Sequence, residues 1–107
     1  MKGFPGGMQQ FVKQANQLQT KLKKLQEELE VREFEASSGG GAVKVKIKGD
    51  SEILSLEISE DVFKSGDKEM LQDLVLTAVN EALKVSKETS SAEMEKLTGG
   101  VKMPGMF

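Results

Sequence analysis

Lys13, Lys21, Lys23 and Lys24 fall within the stretch KQANQLQTKLKKLQEEL (13–29), and no acidic residue occurs in the chain before Glu27. An ammonium group is a compact point charge. A row of them without counter-charges can neutralise a polyanion backbone and release its condensed counterions. Lys44, Lys46 and Lys48 form a second set. They alternate with Val43, Val45 and Ile47, so the three ammonium groups share one side of a strand. Lys2, in the N-terminal lead, is a further candidate that can reach a phosphate. The remaining charge is segregated. Residues 27–35 carry five glutamates against one arginine, and residues 50–73 carry eight acids against two lysines. A net charge of −2 is not that of a simple polycation, so local potential matters more than the total.

A solvated surface would account for part of this. Alternation requires polar residues opposite an apolar strand face, and the outer faces of paired helices are usually charged. Those helical faces normally mix signs, whereas here the glutamates are held back to the end, where they oppose the helix dipole. Lys23–Glu27 and Lys24–Glu28 stand in the less favourable i,i+4 order. Each effect is worth only a few tenths of a kcal/mol, so helix stability does not explain the segregation. A solvated face and a ligand face both remain open.

The missing residue types narrow the chemistry. The chain has no Cys, His, Trp or Tyr. Cysteine or histidine zinc sites, disulfides, thiol nucleophiles and Ser–His pairs are thereby excluded, and the commonest general base is missing. The expectation is a protein that is not an enzyme and uses no metal or cofactor. The glycine-rich stretch SSGGGAVK matches neither G-x-G-x-x-G nor G-x-x-x-x-G-K-[ST], and reads as a hairpin loop. Five Phe are the only aromatics, so a base-stacking platform for single strands is not expected. With one arginine and no evident base-reading set, any nucleic-acid binding should use the backbone of a duplex with low sequence specificity.

The elements that position these lysines follow from periodicity. Met8, Phe11, Ala15, Leu18, Leu22, Leu25 and Leu29 step by 3 and 4, a heptad seam predicting a helix over about residues 8–31, roughly 36 Å long. The lysines lie off that seam. VREFEAS, AVKVKIKGD and ILSLEIS alternate, predicting three strands in an antiparallel meander, with Val43, Val45, Ile47, Leu54, Leu56 and Ile58 facing inward. Asp67 reads as the N-cap of a second helix reaching about Ser90, with helical spacing able to resume through Met94 and Leu97. Leu76 and Val85 fall off its apolar stripe and suggest a second buried surface. The expected fold class is α+β, an α-β-β-β-α protomer forming one domain over residues 1–107. Residues 1–7 and 99–107 are expected to be flexible. A first helix longer than a small core needs predicts a homodimer. No apolar run approaches the ~20 residues of a membrane span and no signal peptide is visible, so an intracellular, cytoplasmic protein is the expectation.

Four segments, GGMQQFVKQANQLQTKLKKLQEELE, GGGAVKVKIKGDSEILSLEIS, DKEMLQDLVLTAVNEALK and GGVKMPGMF, resemble in order and length the YbaB/EbfC family of small nucleoid-associated proteins. The resemblance spans nearly the whole chain. It implies a tweezer-shaped homodimer with projecting helices and meeting sheets. The implied partner is double-stranded DNA and the implied location the nucleoid. The implied roles are nucleoid organisation, gene regulation or a repair setting beside recombination or replication proteins. The rival reading is a protein–protein adaptor using the heptad seam, the acidic block at 50–73 and the tail VKMPGMF.

Overall fold

The computed structural model describes residues 6–99. Helix α1 spans Gly6–Val31, beginning two residues before the heptad seam. Strands β1 (Glu33–Ser38), β2 (Val43–Lys48) and β3 (Ile53–Ile58) form one antiparallel sheet in the order β1-β2-β3. A short helix, α2 (Glu60–Lys64), follows, and then helix α3 (Lys68–Thr98). The α+β architecture and the meander are as the patterning predicts. The expected flexible ends, apart from Gly6, Gly7 and Gly99, lie outside the described residues.

The ends of α3 are set by local chemistry. The Asp67 carboxylate accepts from the Met70 N–H at 3.0 Å, the N-cap expected from sequence. Gly99 closes the helix in the left-handed conformation at φ 72°. Between them the helix runs on for 31 residues, past Ser90. Its first half lies across β1 and β2, and its second half packs against α1. Two cores result. Phe34, Val43, Val45 and Ile47 meet Ala78 and Ala82 under the sheet. Leu22, Leu29 and Met94, flanked by Leu18, Leu25 and Leu97, join α1 to α3 as an arm. The molecule measures 76 × 19 × 17 Å, drawn out along that arm.

Three features depart from the sequence reading. Helix α2 occupies what reads as a link, held by Ser59, whose hydroxyl accepts from the Val62 N–H. Val85 packs at the rim of the sheet core, while Leu76 is open to solvent. Leu54, Leu56 and Ile58 do not reach the core, and every residue of β3 is exposed. The register explains part of this. Val43 and Val45 pair with Ile58 and Leu56, but an irregularity at Lys46/Ile47 brings Ile53 rather than Leu54 opposite Ile47. The apolar side of β3 therefore points the same way as that of β2, but α3 covers only β1 and β2.

Candidate nucleic-acid interface

On α1 the heptad seam faces α3 only from Leu18 onward, and residues 8–17 are exposed on every side. Lys13, Lys21, Lys23 and Lys24 are all exposed, and none lies within 4 Å of a carboxylate among the described residues. The i,i+4 pairs with Glu27 and Glu28 do not form. Around Lys13 the helix surface carries Gln9, Asn16, Gln17 and Thr20, so that face offers ammonium, amide and hydroxyl groups without an acid. Between the two helices of the arm, Lys21 and Lys24 line a shallow groove with Lys96 of α3. Glu28 and Glu93 lie in the same groove and moderate its potential. Lys96 is exposed and free of ion pairs among the described residues. Sequence reasoning missed it because its only signal is a lysine in the last turn of a helix, which the dipole alone accounts for.

The sheet lysines have different surroundings. Lys46 lies 3.6 Å from both Glu33 and Glu35 of β1. Lys48 lies 3.0 Å from Glu52 and 3.6 Å from Asp50 in the β2–β3 turn. Its pKa is raised above the ordinary 10.5 by the hydrogen bond to Glu52, then by the charges of Asp50 and Glu52. Lys44 makes no ion pair among the described residues but faces Glu57 in register on β3. The three ammonium groups thus sit among carboxylates on one sheet face, which has little net positive potential. Lys2 lies outside the described residues.

The single arginine is engaged. Arg32 reaches Glu93 at 4.0 Å and stacks over the Phe34 ring at 5.5 Å, tying the base of α1 to α3 and the sheet. Among the described residues no helix is long and apolar enough to cross a membrane, and no group of acids is arranged to hold a metal ion.

The profile of the YbaB/EbfC DNA-binding family matches residues 4–101. A nucleoid-associated protein of Clostridium novyi is 53% identical, the match covering 98% of this chain and 96% of that one. One of Thermoanaerobacter pseudethanolicus is 49% identical, with the same coverage. The fold matches the crystal structure of an uncharacterized protein from Helicobacter pylori. The TM-score is 0.68 at 23% identity, covering 91% of this chain and 100% of that one.

Proposed function

This chain belongs to the YbaB/EbfC DNA-binding family, and on that premise we propose that it is a nucleoid-associated protein that binds the backbone of duplex DNA as a homodimer. The observation that carries the reading is the run of α1 up to Gln26, which carries no acid. Four exposed, unpaired lysines stand there on one helix, while Lys46 and Lys48 of the sheet are paired with carboxylates and Lys44 stands across from Glu57. Lys13, Lys21, Lys23 and Lys24 are the principal phosphate contacts in this reading, with Lys96 beside them. Each acts as a point charge without base preference, which supports low sequence specificity.

The homodimer is supported by β3. Ile53, Leu54, Leu56 and Ile58 are 37–50% exposed on an edge strand, with Phe63 of α2 nearby in sequence and 72% exposed. Uncovered apolar residues on a sheet edge invite pairing. A two-fold contact there would complete the sheet core and leave both arms projecting. A mobility-shift series on duplexes of unrelated sequence tests the whole reading. Similar shifts on all duplexes, lost in the Lys13/Lys21/Lys23/Lys24→Gln variant and kept in the Lys44/Lys46/Lys48→Gln variant, support it. Loss only in the second variant would move the site to the sheet.

A further inference from the structure

The heptad seam is longer than its partner. It runs from Met8 to Leu29, and the last apolar residue that α3 contributes to it is Leu97, two residues before the Gly99 cap. Beyond Leu18 toward the N-terminus nothing described covers it. Phe11 is 65% exposed, Met8 and Val12 are each 43% exposed, and Ala15 is also open. Phe11 stands seven residues before Leu18, on the same line of the helix.

We propose that this uncovered seam is the docking site of the chain's own C-terminal segment, residues 100–107, with Val101, Met103, Met106 and Phe107 as its apolar anchors. Reach is sufficient. Eight residues follow Gly99 and span up to about 26 Å when extended. Leu18 and Met8 are about 15 Å apart along the helix. Composition fits as well. Four of the eight residues are large and apolar, and Lys102 has the single charged side chain. Methionine adapts to an irregular surface and packs favourably against an aromatic ring such as Phe11. Charge argues against a second copy as occupant, because another α1 would bring its own row of unpaired lysines against Lys13 and Lys21. Docking on the seam leaves the face carrying Lys13 and Lys24 open.

The absence of cysteine allows a direct test in the full chain. The pair Ala15→Cys and Met103→Cys is oxidised mildly beside a control pair, Gln9→Cys and Met103→Cys, whose first site lies away from the seam. A disulfide within one chain, forming about tenfold faster in the first pair than in the control, is expected. Equal rates, or a bridge that joins two chains on a non-reducing gel, would overturn the proposal. Hydrogen exchange gives a second reading without engineered cysteines. Ending the chain after Gly99 should speed amide exchange over residues 10–17 by about tenfold, while exchange around Leu22 and Ala82 stays unchanged. Equal exchange over residues 10–17 with and without the segment would also overturn it.

Discussion

A Cβ placed on Gly49 would overlap the carbonyl oxygen of Leu29, so the β2–β3 turn and the last turn of α1 meet backbone to backbone. Two hydrogen bonds fix the contact, from the Gly49 N–H to the Arg32 carbonyl at 2.9 Å and from the Asp50 N–H to the Glu30 carbonyl at 3.1 Å. This junction sets the angle at which the arm leaves the sheet. Gly49→Ala must push the turn away, and a loss of about 2–4 kcal/mol is expected in urea unfolding. A change under about 0.5 kcal/mol would show that the contact is slack.

The junction between α1 and α3 rests on few side chains. Leu22 is 1% exposed between Leu29 and Met94. Leu22→Ala should cost about 2–5 kcal/mol through lost transfer energy and the cavity left behind. Hydrogen exchange should show the arm loosening before the sheet. Uniform loosening of both would contradict the division into two cores.

Lys48 gives a pH-dependent signature. The hydrogen bond to Glu52 and the nearby Asp50 charge raise its pKa above 10.5. A raised lysine contributes stability that is fully present below its unfolded value and is lost as pH rises through the folded value. The loss therefore falls above pH 10.5. Nuclear magnetic resonance titration of the Lys48 Nζ should give a lower midpoint in Glu52→Gln than in the wild type. Equal midpoints would show that the turn does not hold the ammonium group.

The exposed side of β3 predicts assembly. Leu56 is 40% exposed in the protomer, so Leu56→Asp leaves the fold intact while placing a charge in the expected two-fold contact. Sedimentation should show a dimer for the wild type and a monomer for the variant, both with the same circular dichroism. A variant that still sediments as a dimer would place the interface elsewhere.

The fold was legible where periodicity decides it. The 3-4 steps from Met8 to Leu29 mark α1, and the alternation of Val43, Val45 and Ile47 marks the buried side of β2. Periodicity could not say that β3 stays open. Alternation tells which residues share a side, whereas cover depends on where α3 lies, and α3 stops short of Leu56 and Ile58. Helix α2 is five residues long, too short for a helical repeat to declare itself. The fate of the lysines divided for a related reason. No acid precedes Glu27, so the isolation of Lys13 is visible in sequence. The neutralisation of Lys46 by Glu33 and Glu35 depends on strand register, which joins residues more than ten positions apart.

The central claim is that the lysines of α1 carry the DNA backbone, and the salt dependence of duplex affinity tests it most directly. Log affinity falls linearly with log salt, with a slope of about 0.9 for each phosphate neutralised. The Lys13/Lys21/Lys23/Lys24→Gln variant should bind more weakly at every salt concentration, with a slope smaller by about 0.9 for each contact removed. The Lys44/Lys46/Lys48→Gln variant should keep the wild-type slope. An unchanged affinity and slope in the α1 variant would contradict the account.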